Sequence, residues 1–321
     1  MLKIFVAGHN GMVGSAICRE LLNYENVKLL VEDRKRLDLF NAKEVLGYFE
    51  KNQPDYVYLA AAKVGGIYAN NNLPASFIND NIQIQTNIIN SSHATNVKKL
   101  LFLGSSCIYP KFSEQPIKEE YLLTGKLEST NEPYAIAKIS GIKMCESFNR
   151  QFKTDFRSVM PTNLYGPNDN FNLKNSHVIP ALIRRFHEAK INREKFVKVW
   201  GSGKPSREFL HVHDMASACV HIMNTPKEKF YSVVKDPLCS HVNIGTSQDC
   251  TIEELSMIIS VIVGFEGNII FDNEMPEGPP KKLLCVRKLH KLGWKHSINL
   301  KNGLAQTYEW FKENFNSLRD D

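Results

Sequence analysis

The sequence predicts an α/β fold in which a doubly wound parallel sheet is joined to a smaller C-terminal α/β domain. Three observations favour it: short apolar runs alternate with amphipathic segments through the first half, a glycine-rich turn follows the first run, and the alternation loosens after about residue 165. Because alternating strands and helices build parallel βαβ units with right-handed crossovers, the first half should form one sheet with helices on both faces. A chain of 321 residues has room for one large or two modest domains.

The first half divides into apolar runs of strand length and longer segments with helical periodicity. Residues 13–23 show the helical pattern, because Val13, Ile17 and Leu21 fall on one face. The predicted strands are residues 2–7, 27–31, 55–61, 99–103 and 155–160. The predicted helices are residues 13–23, 78–96 and 134–152.

The second half is less regular. Residues 168–175 are polar and turn-rich, and three prolines and a glycine predict a loop at 274–280. The remaining predicted elements are helices at 176–189, 251–263 and 301–314, a strand at 195–200, and a strand, turn and helix within 208–223. We expect residues 1–164, with about 205–225 returning to them, to form the first domain, and residues 165–204 with 226–321 to form the second.

The composition indicates which partners and which compartment suit the chain. A formal net charge of +6 suits an anionic small molecule, whereas Lys and Arg occur only in short runs, so we expect no nucleic-acid partner. The seven cysteines are scattered and form no Cys-x-x-Cys pair, which argues against a disulfide framework and against a metal site. No stretch approaches the ~20 apolar residues that a membrane helix needs, so we expect a cytoplasmic protein without a membrane partner.

A glycine-rich turn lies between the first predicted strand and the first predicted helix. Its residues are Gly8, His9, Asn10, Gly11, Met12, Val13 and Gly14. Glycines allow a tight turn and let the backbone approach a pyrophosphate closely, and the start of the helix offers free N–H groups and the positive end of its dipole. The turn therefore predicts a dinucleotide-binding site of the Rossmann type.

The end of the second strand carries opposing signals about which dinucleotide binds. An acidic residue there binds the ribose 2′-hydroxyl of NAD, and an Arg accommodates the 2′-phosphate of NADP. Here Glu32 and Asp33 favour NAD, while Arg34 and Arg36 favour NADP. The sequence leaves open which side chain points inward.

Two further segments predict catalytic side chains. Tyr134 and Lys138 are spaced i and i+4 on one helix face, and a nearby ammonium should lower the pKa of the phenol and suit it to proton transfer with a carbonyl or alcohol. Ser105 follows a predicted strand, at the sheet edge where open α/β folds bind ligands, and its hydroxyl could bond the reacting carbonyl. Ser106 is the second choice for that role.

Together these residues resemble the extended branch of the short-chain dehydrogenase/reductase superfamily. Longer motifs narrow the resemblance to the GDP-L-fucose synthase family, whose members are GDP-4-keto-6-deoxy-mannose epimerase-reductases. The motifs that carry it span residues 60–66, 105–110, 131–138, 161–167, 169–171 and 175–180. The resemblance covers nearly the whole chain and is more specific than the superfamily motifs alone.

The resemblance implies two reactions in one site. Protons next to the C4 ketone are removed and returned at C3 and C5, and the nicotinamide then delivers hydride to C4. Cys107 and His177 match the acid/base pair for epimerisation. Tyr134 matches the proton donor for reduction, Lys138 its helper, and Ser105 the partner of the carbonyl.

The resemblance also implies contacts with an NADP cofactor in the first domain and a GDP-linked 4-keto-6-deoxy sugar in the second. The cofactor positions are Gly8, Asn10, Gly11, Met12, Val13, Gly14, Arg34, Asp38, Leu39, Leu103, Ser106, Lys138, Asn163, Leu164 and His177. The sugar-nucleotide positions are Asn163, Val178, Arg185, Trp200, Arg207, and Glu277 or Lys282. By the same analogy we expect a homodimer built on the two long helices.

One departure bears on the cofactor. The family often carries an Arg that helps to read the 2′-phosphate where this chain has Asn10. We expect NADPH because Arg34 is present, with NAD as the alternative.

Two other functions compete with this interpretation. A C4 reductase of a GDP-6-deoxy-4-keto-heptose, working in surface polysaccharide synthesis, would use the same glycine turn, Tyr134 and Lys138 but leave epimerisation to another protein. A regulator that only senses NADP would be expected to lose one of that pair, and this chain has both.

Overall fold

A computed structural model describes residues 1–173, 176–274 and 278–318 of the chain. Its strands, in chain order from β1 to β12, are Leu2–Ala7, Val27–Leu30, Tyr56–Leu59, Lys99–Leu103, Phe156–Pro161, Asn163–Tyr165, Phe196–Trp200, Ser206–His211, His241–Ile244, Asp249–Thr251, Asn268–Asp272 and Lys281–Lys282. Its helices, from α1 to α11, are Met12–Leu21, Ala42–Asn52, Ile67–Asn72, Pro74–Ala94, Glu132–Phe152, Val178–Ile191, Val212–Asn224, Lys227–Val233, Ile252–Val263, Arg287–Leu292 and Leu300–Asn314.

The main sheet has six parallel strands in the order β2-β1-β3-β4-β5-β9. Apart from the edge strand β2, its strands are largely buried because helices cover both faces; β5, for example, is buried at every residue. The predicted fold class is therefore confirmed. The strand order reverses direction between β1 and β3, which is where open α/β sheets form a ligand crevice outside the carboxyl ends of their strands.

A second, smaller region is built around β8. This strand pairs with β6 and β12 in parallel and with β10 antiparallel, while β7 and β11 form a separate parallel pair. Apolar side chains of α6, α9 and α11 pack with these strands into a core separate from that of the main sheet. The region therefore has its own hydrophobic centre beside the carboxyl ends of the main strands.

The two cores divide the chain differently from the predicted boundaries. The prediction assigned all of 226–321 to the second domain, but β9 is the sixth strand of the main sheet, and Leu284, Val286, Leu289 and Leu292 belong to its core. That part of the boundary is wrong, because a four-residue strand with alternating polar side chains gives too weak a signal to be recognised from sequence. The domain functions remain predictions.

Most element limits differ from the predicted ones by a few residues. The longest shift is in α4, which begins at Pro74 rather than at residue 78, since a proline has no N–H to lose in the first helical turn. In the predicted loop at 274–280, residues 275–277 lie outside the described residues. Over the described part of the chain, every helix is too short or too polar to span a bilayer.

Candidate functional site

The glycine turn forms a tight bend between β1 and α1. Gly8 has a φ of +87°, and the Gly11 N–H donates to the Gly8 carbonyl oxygen at 3.0 Å. A Cβ at Gly8 would lie 2.7 Å from the Cα of Ala61, and one at Gly14 would overlap the Gly8 carbonyl. These two positions therefore accept only glycine, since a side chain would displace the turn.

The turn also leaves the start of α1 free to meet an anion. Gly11 is the residue that precedes the helix, and the helix begins without a side-chain cap and without an acidic residue in its first turn. Met12 and Val13 form that first turn and are half-buried. Unbonded N–H groups, a close backbone approach and the helix dipole fit the pyrophosphate of a dinucleotide.

At the end of β2, the side chain that meets the turn is Asp33. Its Oδ1 accepts a hydrogen bond from Asn10 Nδ2 at 2.8 Å and lies 3.5 Å from His9 Nε2. The Arg34 guanidinium instead lies 5.2 Å from the centre of the Phe40 ring. The sequence left open which side chain points towards the glycine turn. In the structure the side chain that contacts the turn is the acidic one, Asp33.

The predicted reducing residues converge where β4 and α5 meet. The Ser105 side chain lies close enough to Tyr134 and to the Cys107 thiol to lower the pKa of each, and its Oγ accepts from the Cys107 N–H at 3.4 Å. Phe77 packs edge-on against the Tyr134 ring with centroids 6.1 Å apart. A hydroxyl, a phenol and a thiol thus face one point above the carboxyl end of the sheet.

Lys138 lies below this group and is buried. Its Nζ donates to the Leu103 carbonyl oxygen at 2.9 Å and lies 5.8 Å from the centre of the Tyr134 ring. Burial lowers the pKa of Lys138 to about 8. A lysine that titrates near neutrality is unusual and is typical of functional sites.

The expected lowering of the Tyr134 pKa is wrong for the chain alone. Burial raises the pKa of Tyr134, the Cys107 thiol adds to the increase, and only the Ser105 hydrogen bond opposes it. The free-energy cost of removing a phenolate from water exceeds the gain from one hydrogen bond. The Lys138 ammonium does not offset this cost, because it donates to the Leu103 carbonyl instead. Tyr134 therefore rests as a neutral phenol, the form that donates a proton.

Cys107 and His177 lie around the ammonium of Lys282. Burial raises the pKa of Cys107, and the charge of Lys282 is the largest influence that opposes it. His177 precedes α6 on the cleft wall; although it is exposed, surrounding protein lowers its pKa, and Lys282 lowers it further. In the resting site the thiol is protonated and the imidazole neutral, while a cation lies close enough to both to lower their pKa values.

Three more of the predicted substrate residues form the wall of the smaller region. The Arg185 guanidinium stacks 4.8 Å from the centre of the Trp200 ring, and Trp200 is 43% exposed. Arg207 on β8 donates to the Ser206 carbonyl at 2.7 Å, and its neighbour in β12 is Lys282. A cationic plane with an aromatic surface and two further cations suits a nucleoside diphosphate.

The remaining predicted residues lie around these groups. Asp38 Oδ1 accepts from the Phe40 N–H, and the Leu39 carbonyl accepts from Asn87, so both shape the segment after β2. Asn163 donates to the Glu208 carbonyl at 2.8 Å. Ser106 is buried in the 3-10 turn after β4, whereas Leu164 and Val178 are half-buried. Glu277 lies outside the described residues.

Sequence reasoning missed Glu208, which holds several parts of the cleft together. Its carboxylate is fully buried and accepts backbone N–H groups of Thr246, Ser247 and Leu284 at 2.6, 2.7 and 2.9 Å. Glu208 follows Arg207 on β8, and Leu284 is the second residue after β12. The carboxylate therefore fixes the strand segments that carry Arg207 and Lys282. The signal available in the sequence was an acidic residue directly before the apolar pair Phe209 and Leu210.

Comparison with known proteins gives consistent matches along the chain. The model of the NAD dependent epimerase/dehydratase family matches residues 4–245. The chain is 56% identical over 317 residues to the GDP-L-fucose synthase of Escherichia coli (strain K12), covering 99% of this chain and 98% of that one.

Solved structures agree over the same length. A crystal structure of a GDP-6-OMe-4-keto-L-xylo-heptose reductase from C. jejuni superposes with a TM-score of 0.92 at 38% identity and covers 98% of both chains. A GDP-L-fucose synthetase from Naegleria fowleri bound to NADP gives a TM-score of 0.87 at 29% identity, covering 99% of this chain and 96% of that one. With most of its length matched by the family model and with these close relatives, the chain belongs to the NAD dependent epimerase/dehydratase family.

Proposed function

We propose that the chain converts GDP-4-keto-6-deoxy-D-mannose into GDP-L-fucose by epimerisation at C3 and C5 followed by NADPH-dependent reduction at C4. Family membership makes it an enzyme that uses a nicotinamide cofactor, and its relatives act on GDP-linked sugars. The observation that carries the proposal is the convergence of Cys107 with Ser105 and Tyr134 on one point of the cleft. Groups for proton exchange and for carbonyl reduction therefore serve a single bound sugar.

Reduction needs a proton for the developing alkoxide at C4. When bound, the nicotinamide supplies the hydride. The neutral Tyr134 phenol donates the proton, and Ser105 positions the carbonyl oxygen next to it. Lys138, on the same helix face, holds the cofactor ribose and keeps a positive charge near the phenol as the proton leaves.

Epimerisation needs a base that removes the ring proton next to the ketone and an acid that returns a proton to the opposite face of the ring. Cys107 and His177 fill these roles in the proposal, because each lies within electrostatic reach of Lys282. That ammonium favours the thiolate over the thiol and disfavours the imidazolium. Lys282 therefore lowers the cost of charging Cys107, and it makes His177 a stronger acid once the imidazole has been protonated.

Substitution of Cys107 tests the epimerase half separately. With Cys107→Ser in D₂O, we expect deuterium incorporation at C3 and C5 to fall by about 10²–10⁴-fold, because a serine hydroxyl is far less acidic than a thiol and supplies almost no anionic base at neutral pH. NMR of the product measures this incorporation. Cys239→Ser, at a half-buried thiol just before the amino end of β9, is the matched control, since the cleft lies at the carboxyl ends of the strands. Unchanged exchange in Cys107→Ser would contradict the assignment of the base.

The glycine turn gives a second test, through cofactor binding. With Gly14→Ala we expect loss of measurable NADPH binding by calorimetry, because the added methyl overlaps the Gly8 carbonyl and displaces the turn from the pyrophosphate. Gly47→Ala is the control, because a Cβ there meets no atom within 4 Å. Tight NADPH binding by a folded Gly14→Ala protein would place the pyrophosphate elsewhere.

A second candidate is a C4 reductase of a GDP-linked 6-deoxy-4-keto-heptose, favoured by the similarity to the C. jejuni heptose reductase. The two functions differ in their products with GDP-4-keto-6-deoxy-mannose. GDP-L-fucose requires both inversions, whereas a pure reductase returns C3 and C5 unchanged. NADPH oxidation followed by NMR of the product separates them, and absence of turnover on this sugar would contradict the fucose assignment.

The assembly and location are part of the same proposal. A homodimer would form on α4 and α5, two 21-residue helices that pack against each other on one face of the sheet. The exposed apolar side chains of Ile136 and Phe152 on α5 would then be covered. Sedimentation measures the mass directly. The cytoplasmic location expected from the sequence remains a prediction.

A further inference from the structure

A buried polar network lies behind the segment that carries Cys107. Tyr109 follows the 3-10 turn that contains Cys107 and is buried, and its hydroxyl donates to Asn243 Oδ1 at 2.5 Å. The same hydroxyl oxygen lies 3.1 Å from His241 Nε2. Both partners are on β9 and are completely buried. The chain just after the Cys107 thiol is therefore tied to the sixth strand of the main sheet.

The Asn243 amide fixes the direction of the hydrogen bonds in this network. Its Nδ2 donates to the carbonyl oxygens of Ile117 and Cys285, at 3.0 and 3.3 Å, so its Oδ1 accepts the hydrogen of the phenol. His241 then donates from Nε2 to the phenol oxygen, and its Nδ1 is unprotonated and without a hydrogen-bond partner in the part of the chain that is described. Burial lowers the pKa of His241 to about 3, which keeps the imidazole neutral. The network thus holds Tyr109 in one orientation.

The other end of the network reaches the segment that carries Lys282. The Ile117 N–H donates to the Leu283 carbonyl at 2.7 Å, and the Cys285 N–H donates back to the Ile117 carbonyl at 2.8 Å. Lys282 directly precedes this paired stretch. Asn243, by donating to the Ile117 and Cys285 carbonyls, therefore binds the chain that presents the ammonium as well as the chain that presents the thiol.

We propose that Asn243 is a positioning residue that sets the separation between the Cys107 thiol and the Lys282 ammonium. It holds the thiol segment through Tyr109 and the ammonium segment through the Cys285 carbonyl. The inference deepens the proposed epimerisation and rests on it. Because the attraction between a thiolate and an ammonium weakens with distance, loosening either side should make the thiolate harder to form.

Two other titratable groups face the Cys107 thiol. Lys138 on α5 also favours the thiolate, and Tyr134 on the same helix faces it as a neutral phenol. Lys138 is held by the Leu103 carbonyl, outside the network of Asn243. Changes in the network should therefore reach the thiol through the ammonium of β12 and not through α5.

The titration of the Cys107 thiol in the free protein tests this inference without turnover. Alkylation by iodoacetamide, followed over a range of pH by peptide mass spectrometry, gives a midpoint that reports the pKa and a plateau that reports access. Tyr109→Phe keeps the ring but removes its hydrogen bonds, and it should raise the midpoint so that alkylation at neutral pH falls about three- to tenfold. Tyr231→Phe, which removes a hydroxyl bonded to Asn149 and Asp155 just before β5, should leave the midpoint unchanged.

A second substitution shows whether the network acts through the ammonium. Lys282→Met alone should raise the midpoint, and Tyr109→Phe should then add little, since no ammonium is left to displace. Asn243→Leu, which breaks both sides of the network at similar volume, should raise the midpoint at least as far as Tyr109→Phe does. If Asn243→Leu does not fold, the pair of Tyr109→Phe and Lys282→Met decides.

The outcomes separate this inference from the function beneath it. An unchanged midpoint in a folded Tyr109→Phe protein, with or without a lower plateau, would overturn the role of Asn243. So would a Tyr109→Phe shift that is equally large in the Lys282→Met background. Wild-type deuterium exchange at C3 and C5 tests the proposed function instead: its absence, with the midpoint shifts present, would overturn the epimerase assignment while the separation of thiol and ammonium stands.

Discussion

Replacing Tyr134 with Phe should lower the rate of C4 reduction by about 10²–10⁴-fold, because the substitution removes the hydroxyl that donates the proton and keeps the aromatic ring. The phenyl ring keeps its edge contact with Phe77, so the fold and the cleft shape should be retained. Oxidation of NADPH with GDP-4-keto-6-deoxy-mannose measures the rate. Deuterium exchange at C3 and C5 should continue, since Cys107 and His177 remain.

The control for this variant is Tyr121→Phe. Tyr121 also donates a hydroxyl hydrogen bond, to Glu114 at 3.0 Å, but in an exposed position, so its loss should leave the rate unchanged. A Tyr134→Phe protein that keeps more than about a tenth of the rate would show that another group donates the proton. Loss of deuterium exchange together with reduction would indicate that the substitution damaged the whole site.

The largest effect on stability should come from Arg157→Met, with a loss of about 3–5 kcal/mol in the free energy of unfolding. Arg157 on β5 is fully buried and binds both carboxylate oxygens of Asp155, at 2.8 and 2.7 Å. It also donates to the Thr225 carbonyl at 2.8 Å and to the Ile222 carbonyl. Methionine fills much of the volume, but the buried Asp155 carboxylate and the two carbonyls lose the guanidinium that donates to them.

Urea unfolding measures this loss, and two further variants interpret it. Lys312→Met removes an exposed ion pair with Glu309 and should cost less than about 1 kcal/mol. Combining Arg157→Met with Asp155→Leu should recover part of the loss, because the uncompensated charge is then absent. If Arg157→Met unfolds at the same urea concentration as the wild type, the buried pair contributes nothing to stability.

The parts of the fold that follow from sequence are those whose signal is local. β4 has the predicted bounds, and the turn before α1 is specified by glycines that only a tight bend requires. Tyr134 and Lys138 share a helix face by spacing alone. In each case the information lies within about one helical turn or one strand.

The parts that did not follow depend on distant partners. β9 and β12 have four and two residues, and become strands only because β5 and β8 offer free edges. The inward contact of Asp33 depends on Asn10, which lies in another element. The direction of the shift in the Tyr134 pKa depends on how deeply the side chain is buried, which the spacing of residues in the sequence does not predict.

The Glu208 carboxylate also bears on when the enzyme becomes competent during its synthesis. Its partners include Thr246 and Leu284, which leave the ribosome long after the strand that carries Glu208. β1 to β5 can pair early, whereas the cleft closes only when these late segments arrive, since contacts across long loops form at a greater entropic cost. A nascent chain ending before Leu284 would carry a glycine turn and a catalytic helix but not a finished cleft.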